Sequence, residues 1–273
     1  MLSHPNLMLI DALNTALRPF NFPGKARLLH SLCPQEGERL YDLFGFQIRL
    51  DLRDLIQRSI FLNVFEPEES SIVRTYLRPG QTFVDVGANI GYYTLMAARL
   101  VGESGHVMAF EPSQYIYERL RVTVEQNRLS RVRVIQAGLS DQEGEMNLYV
   151  QQGTGNNSPS MVANGTGIPV RVPVRPLDSY LDESGIHQVD LMKIDVEGFE
   201  PNVLRGASAH LKGGRIGAIL CEFNRYWLMT NGSSPAALHQ MLVDFGYRPQ
   251  NESIDFRREL QNILYTRISN PRR

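Results

Sequence analysis

A turn with two glycines, next to a buried acidic residue, is the part of this sequence best suited to bind a small charged molecule. The stretch VDVGANIGYYT places Asp85, Gly87 and Gly91 between an apolar run and a run with helical spacing. Backbone N–H groups and the helix dipole point into the crevice beyond such a strand end, and glycine lets a ligand approach the backbone. The spacing departs from the Gly-x-Gly-x-x-Gly fingerprint, so it matches NAD binding poorly.

The position of Asp85 favours a ligand that carries positive charge. Opposite charges stabilise each other in a poorly solvated crevice, whereas an aspartate is awkward for a pyrophosphate. S-adenosylmethionine carries a sulfonium and an ammonium group. Glu111, at the end of the next predicted strand, is suited to accept both ribose hydroxyls of this ligand. Ser140 and Asp141 follow the third strand, where they are expected to meet the adenine edge.

An alternation of strand and helix patterns places these residues at neighbouring strand ends. From Gln81 onward, short β-branched runs alternate with stretches of helical period, as in βαβ units around a parallel sheet. Seven strands are therefore available for one α/β sheet. The predicted strands are QTFVDV, GHVMAFE, RVRVIQAG, VDLMKIDVEG, IGAILCEF, a short run near residues 246–248, and NILYTRI.

Two regions interrupt this alternation. Residues 1–75 carry helical segments followed by GFQIRLDL and SIFLNVF, which are predicted to form a hairpin or a cap over the sheet edge. We therefore divide the chain into an N-terminal cap at 1–75 and a main domain at 76–273. The predicted strands NLYV and VRVPV flank a long Gly-, Asn- and Ser-rich loop that contains Ser158 and Ser160. The loop is either a lid over the acceptor or a surface loop, and the sequence leaves both open.

Composition and charge exclude several classes of protein. The 273 residues have a formal net charge of −1 with both signs mixed along the chain, which gives no electrostatic footprint for nucleic acid. The N-terminus lacks the features of a signal peptide, and no apolar run approaches the roughly 20 residues of a membrane span. Cys33 and Cys221 match no metal-binding spacing. We expect a cytoplasmic protein with a small-molecule partner, and the sequence leaves a homo-oligomer open.

Five stretches together resemble the FkbM family of S-adenosylmethionine-dependent methyltransferases. They are GQTFVDVGANIGYYT, AFEPS, VIQAGLSD, VPVRPLDSYL and VDLMKIDVEGFEPNVLRGA, within residues 79–222. The resemblance implies a Rossmann-like class I fold, with a seven-stranded, mostly parallel sheet, an antiparallel last strand and helices on both faces. It also implies methyl transfer to oxygen, often a hydroxyl of a sugar or polyketide. The cofactor-binding positions that it implies are Asp85, Gly87, Ala88, Asn89, Gly91, Glu111, Ser140 and Asp141.

Carboxylates at the ends of the fourth and fifth strands are the candidate catalytic groups. An alcohol has a pKa near the value of about 15.7 for water, so methyl transfer to it needs alignment and help in removing the proton. Asp195 and Glu197 lie on one side of an extended strand, and Glu222 ends the next strand. One of the first two is expected to act as base or to bind the methionyl end, while the other orients it. Alternatively, Glu197 caps the following helix and Asp195 accepts backbone hydrogen bonds.

A metal ion and three other functions are alternatives. Asp195, Glu222 and Asn224 offer the oxygen ligands that Mg²⁺ or Ca²⁺ prefers, but the motifs do not require a metal and none is expected. The chain is also compatible with a module that binds S-adenosylmethionine without turnover, and less well with an NAD-dependent oxidoreductase. A macromolecular acceptor is disfavoured because the basic face and the Asn- or Asp-Pro-Pro-aromatic motif are missing. Our leading hypothesis is an O-methyltransferase for a hydroxyl of a small or glycosylated metabolite.

Overall fold

The structure is a computed structural model that describes residues 16–17, 24–150, 159–162, 167–250 and 254–268. Ser158 and most of the predicted long loop lie outside these ranges. The strands are β1 (Glu38–Leu43), β2 (Phe46–Asp51), β3 (Thr82–Val86), β4 (His106–Phe110), β5 (Val132–Ile135), β6 (Gly138–Leu139), β7 (Gly144–Val150), β8 (Ile168–Arg175), β9 (Val189–Ile194), β10 (Ile216–Asn224), β11 (Tyr247–Pro249) and β12 (Leu260–Arg267). The helices are α1 (Lys25–Leu32), α2 (Leu55–Phe61), α3 (Pro67–Tyr76), α4 (Tyr92–Val101), α5 (Gln114–Gln126), α6 (Leu177–Ser184), α7 (Glu200–Gly206), α8 (Ser208–Lys212), α9 (Arg225–Thr230) and α10 (Pro235–Asp244).

Seven strands form one sheet in the order β11-β12-β10-β9-β3-β4-β5. The pairs from β10 to β5 are parallel, whereas β12 runs antiparallel to both β10 and β11. The predicted α/β fold with an antiparallel last strand is therefore confirmed. The chain builds the sheet outward from β3 in one direction and from β9 in the other, so β3 and β9 flank the point where ligands bind in open sheets of this kind.

Apolar side chains on both faces of the sheet explain why helices cover both. All five residues of β3 are buried; Val84 and Val86 belong to one hydrophobic cluster and Phe83, on the opposite face, to another. Val84 packs with residues of α6, α7 and α10 on one face. Phe83 packs with residues of α3 and α4 on the other. None of the described helices combines the length and the apolar character needed to cross a membrane.

The N-terminal part of the chain differs from prediction in one element. GFQIRLDL forms a strand as predicted, and β2 pairs antiparallel with β1 in a hairpin. The hairpin alternative makes SIFLNVF a second strand, and this is wrong, because the segment forms the end of α2 and the turn that follows. Asp54 explains the helix: its side chain accepts the N–H of Gln57 and caps the first turn.

The third predicted strand of the main sheet is shorter than expected. RVRVIQAG enters the sheet only from Val132 to Ile135, and Gly138–Leu139 instead pairs with β8 in a separate three-stranded sheet. That second sheet also contains β7, which pairs antiparallel with β8, as the two predicted strands NLYV and VRVPV require. The chain therefore leaves the main sheet just before Ser140 and Asp141.

Candidate active site

A cavity of about 300 Å³ opens at the edge of the sheet where β3, β4, β9 and β10 end. Parallel strands end at the same edge, so side chains that are distant in sequence meet there. An apolar wall from the N-terminal part of the chain, including Ile60 and Phe65, closes one side. The predicted site residues that line the cavity are Gly87, Ala88, Asn89, Glu111, Asp195, Glu197 and Glu222.

The other four predicted site residues, Asp85, Gly91, Ser140 and Asp141, are not among those that line the cavity. Asp85 is 1% exposed and accepts a hydrogen bond of 2.6 Å from the hydroxyl of Thr94. Ser140 is buried and donates to Asp141, whose carboxylate lies 3.2 Å from the guanidinium of Arg205. The residues just before Ser140, namely Ala137, Gly138 and Leu139, line the cavity instead.

The two glycines of the turn are required by contacts within the protein. Gly87 has φ +82°, and a Cβ atom built on it would lie 1.9 Å from the carbonyl oxygen of Asp195. Gly91 has φ +98°, and a Cβ there would lie 2.3 Å from Cδ1 of Leu120. The bare backbone at Gly87 thus lets the ends of β3 and β9 approach closely, which places Asp195 beside the turn.

Replacing Gly87 by alanine is expected to destabilise the protein by at least about 2 kcal/mol more than replacing Gly185. Gly185 is the matched control because it also has a positive φ, of +69°, but nothing lies within 4 Å of its added Cβ. Urea unfolding of both variants measures the difference. Equal losses would show that the approach of Asp195 to Gly87 does not constrain the fold.

Glu111 is held by the backbone of the turn and of the next helix. One carboxylate oxygen accepts the N–H of Asn89 at 3.0 Å and the other accepts the N–H of Ser113 at 2.9 Å. Burial raises the pKa of Glu111 to about 7, although the two N–H groups act in the opposite direction. Glu111 lines the cavity, and each of its carboxylate oxygens has a second lone pair, so the group can accept two further hydrogen bonds, as adjacent ribose hydroxyls require.

Lys193 is the cationic side chain among the described residues that line the cavity. It is 2% exposed, and its Nζ lies 2.7 Å from Oδ2 of Asp195 and 4.7 Å from the ring centre of Tyr93. Burial lowers the pKa of Lys193, but the carboxylates of Asp195, Glu66 and Asp85 together raise it above its usual value. Lys193 is therefore charged at neutral pH, and Asp195 is its partner.

Glu197 and Glu222 also line the cavity, and neither forms a salt bridge with a described residue. Glu197 has φ +52°, and its Oε2 accepts a hydrogen bond of 3.3 Å from the amide of Asn224. Burial, together with the nearby Asp195 and Glu200, raises the pKa of Glu197 to about 8. Glu222 is 7% exposed, and its Oε2 has no hydrogen-bond partner among the described residues. Burial raises the pKa of Glu222 well above its usual value.

Neither Glu197 nor Asp195 has the structural role that was the alternative to catalysis. Phe199, rather than Glu197, holds the position before α7, and the side chain of Glu200 accepts the N–H groups of Val196 and Gly198. The side chain of Asp195 accepts from Lys193. Within the described ranges, no group of three or more His, Cys, Asp or Glu side chains is placed to hold a metal ion.

Sequence reasoning missed Glu66, which lines the same cavity. It does not follow a strand of the main sheet but lies in the connection between α2 and α3. A signal was available in FEPEES, where Pro67 begins a helix and an acidic residue precedes it. That pattern predicts a helix start but not the direction of the side chain.

The raised pKa values predict that stability falls as the pH rises. A carboxyl whose pKa is higher in the folded protein than in the unfolded chain stabilises the fold fully below the unfolded value of 4.5 and loses this contribution as pH rises through the folded value. For Glu111 and Glu200 that value is about 7, and for Glu197 about 8. We expect the free energy of unfolding in urea to fall from about pH 5 to about pH 8.5, by about 1.4 kcal/mol for each unit of pKa shift.

Glu111→Gln supplies the internal control for this pH dependence. Its neutral amide cannot ionise, so the decline between the same two pH values is expected to be smaller than in the wild type. An identical decline in both proteins would contradict the assignment to Glu111.

The sheet and the cavity together define the class of the protein. An antiparallel last strand inserted beside β10, and a ligand cavity at the shared ends of β3, β4, β9 and β10, are the features of a class I methyltransferase fold. A family model described as the methyltransferase FkbM domain matches residues 85–249, more than half of the chain. The protein belongs to the FkbM methyltransferase family.

Three known proteins illustrate the similarity. Methyltransferase 1 of Beauveria bassiana is 31% identical in an alignment of 148 residues that covers 47% of this chain and 59% of the relative. The 31-O-demethyl-FK506 methyltransferase FkbM of Streptomyces tacrolimicus is 32% identical in an alignment of 159 residues that covers 48% of this chain and 60% of the relative. The matches span about six-tenths of the length of these two curated relatives. A SAM-dependent O-methyltransferase structure from Thermotoga maritima aligns over 88% of both chains, with 13% identity and a TM-score of 0.45.

Proposed function

We propose that this protein is an S-adenosylmethionine-dependent O-methyltransferase that acts on a hydroxyl of a small or glycosylated metabolite. The observation that carries the proposal is a set of four carboxylates at three strand ends around one cavity: Glu111 after β4, Asp195 and Glu197 after β9, and Glu222 in β10. Family membership supports the reaction class, and the Streptomyces relative is named for a 31-O position. We also propose a cytoplasmic location, because Cys33 and Cys221 are far apart in sequence and match no metal-binding or redox spacing.

The residues of the cavity fit the cofactor. Glu111 has acceptor positions left for a pair of hydroxyls, and the excess of carboxylates over the single Lys193 suits a ligand with positive charge. When bound, S-adenosylmethionine supplies an electrophilic methyl group on a sulfonium. The apolar wall with Ile60 and Phe65 reduces access of water to this space.

Glu197 is the best general base among the candidates. A base works best when its pKa lies near the working pH, and the pKa of Glu197 is about 8. Asp195 is less suited, because its Oδ2 already accepts a hydrogen bond of 2.7 Å from the ammonium of Lys193. Asn224 holds the carboxylate of Glu197 in place through its amide hydrogen bond.

Glu222 is suited to bind the acceptor. Its unpartnered, buried Oε2 costs free energy unless a ligand supplies a hydrogen-bond partner, and an acceptor hydroxyl can donate to the carboxylate or accept from the protonated carboxyl. Glu222 and Glu197 lie at the ends of neighbouring strands, so one acceptor can meet both. In this arrangement Glu222 orients the acceptor while Glu197 takes the proton of the reacting hydroxyl.

The proposal is tested by incubating the protein with methyl-labelled S-adenosylmethionine and a panel of sugars, glycolipids and macrolides. The expected result is an acceptor that gains one methyl group, with an equal amount of S-adenosylhomocysteine released. Tight binding of S-adenosylhomocysteine without transfer to any acceptor would favour a non-catalytic binding module. Label recovered in protein or nucleic acid would favour a macromolecular acceptor.

A further inference from the structure

Glu66 lines the cavity, yet it lies outside the matched domain, which begins at residue 85, and the proposed mechanism gives it no task. It immediately precedes α3 and occupies the N-cap position of that helix. A side chain there normally accepts N–H groups of its own helix. The carboxylate of Glu66 makes no such bond.

The side chain of Glu66 is instead directed toward α4. Its Oε2 accepts a hydrogen bond of 2.5 Å from the hydroxyl of Tyr93. The backbone of Glu66 has φ 38° and ψ 63°, a left-handed conformation that costs a glutamate about 1 kcal/mol or more. An uncapped helix and a strained backbone both oppose this placement, whereas the hydrogen bond from Tyr93 favours it and holds the carboxylate at the cavity.

Groups of both signs surround Glu66 at this end of the cavity. Lys193 and Asp195 are its main electrostatic neighbours. The backbone carbonyl of Asp195 lies close to Gly87, so Glu66, Lys193 and Asp195 lie beside the glycine turn and the start of α4. An α-amino acid group, with its ammonium and carboxylate on one carbon, is complementary to two carboxylates, a lysine and a helix N-terminus.

We propose that Glu66 binds the α-ammonium group of the amino-acid end of the cofactor, and that Tyr93 positions it for this contact. The inference rests on the proposed function, because it takes S-adenosylmethionine to be the ligand. It adds a cofactor-binding residue from outside the matched domain. It also explains why the connection before α3 folds against the cavity.

Calorimetry with two ligands isolates this contact without an acceptor. S-adenosylhomocysteine carries the amino-acid group, whereas 5′-methylthioadenosine has the same adenosine and sulfur but lacks it. Glu66→Gln is expected to weaken the binding of S-adenosylhomocysteine by about tenfold or more. The affinity for 5′-methylthioadenosine is expected to change by less than about twofold. Tyr93→Phe, which keeps the ring beside Lys193, is expected to give a smaller loss with the same selectivity.

Glu68→Gln is the matched control, since Glu68 is exposed on the first turn of the same helix. It is expected to bind both ligands like the wild type. Equal weakening of both ligands by Glu66→Gln, or no weakening of either, would overturn the inference. If that variant does not fold, Glu66→Asp is measured with the same ligand pair, and a selective loss for S-adenosylhomocysteine is again required. Failure of the wild type to bind either ligand would instead overturn the proposed function.

Discussion

Replacing Glu197 by glutamine is expected to lower methyl-transfer turnover by about 10²- to 10⁴-fold, the range of a lost general base. The amide has nearly the same shape but cannot accept the proton of the acceptor hydroxyl. Affinity for S-adenosylhomocysteine is expected to change by less than about threefold, since that ligand does not need a base. Turnover is measured as S-adenosylhomocysteine release with an acceptor identified from the panel.

The pH profile distinguishes a lost base from a damaged site. Wild-type turnover is expected to rise with pH toward a plateau above about 8, where Glu197 is ionised. The residual activity of Glu197→Gln should lack that rise. Glu103→Gln, an exposed change far from the cavity residues, is the control and should match the wild type.

Asp195→Asn tests the competing assignment of the base. Turnover in this variant is also expected to fall more than cofactor affinity, because Asp195 is paired with Lys193 beside the glycine turn. It should keep the rise in turnover with pH if Glu197 is the base. Loss of that rise in Asp195→Asn, together with its survival in Glu197→Gln, would transfer the role to Asp195.

The second large effect is expected for Lys193→Met. Removing this buried cation leaves the carboxylates of Asp195, Glu66 and Asp85 without their shared partner. Breaking a buried ion pair in this way costs about 3–5 kcal/mol. For a chain of this size, each kcal/mol lost lowers the melting temperature by about 2–4 °C. Thermal unfolding followed by circular dichroism at about pH 8 measures the loss.

The loss for Lys193→Met should shrink toward about pH 5, because burial raises the pKa of Glu66 and of Asp85, so that these two carboxylates gain protons as the pH falls. Lys212→Met is the control, since Lys212 is exposed on α8 and should change the melting temperature by little. A Lys193→Met protein as stable as the wild type at about pH 8 would show that the cavity carboxylates do not depend on this cation.

The sequence predicted the sheet well because its strands carry the signal of burial directly. Each buried strand is an apolar run bounded by polar turns, and parallel strands must end at one edge. That geometry alone brings Glu111, Asp195, Glu197 and Glu222 to one cavity. Asp85 also lies near a strand end. Because successive side chains of a strand point to opposite faces, its carboxylate points away from the cavity and toward α4, where it accepts a hydrogen bond from Thr94.

Other parts of the site depended on backbone geometry that periodicity does not encode. Ser140 and Asp141 do not line the cavity because β5 ends at Ile135 and the chain then joins the second sheet. Glu66 depends on a left-handed residue before α3, and such a conformation leaves no trace in an apolar pattern. SIFLNVF has apolar residues suited to either a strand or a helix, and the cap at Asp54 decided the outcome.

The central claim is that this cavity binds an adenosine ligand with an amino-acid end, and calorimetric titration of the wild-type protein with S-adenosylhomocysteine tests it most directly. We expect saturable heat with one S-adenosylhomocysteine site per chain, and no heat with NAD under the same conditions. Heat with NAD and none with S-adenosylhomocysteine would contradict it.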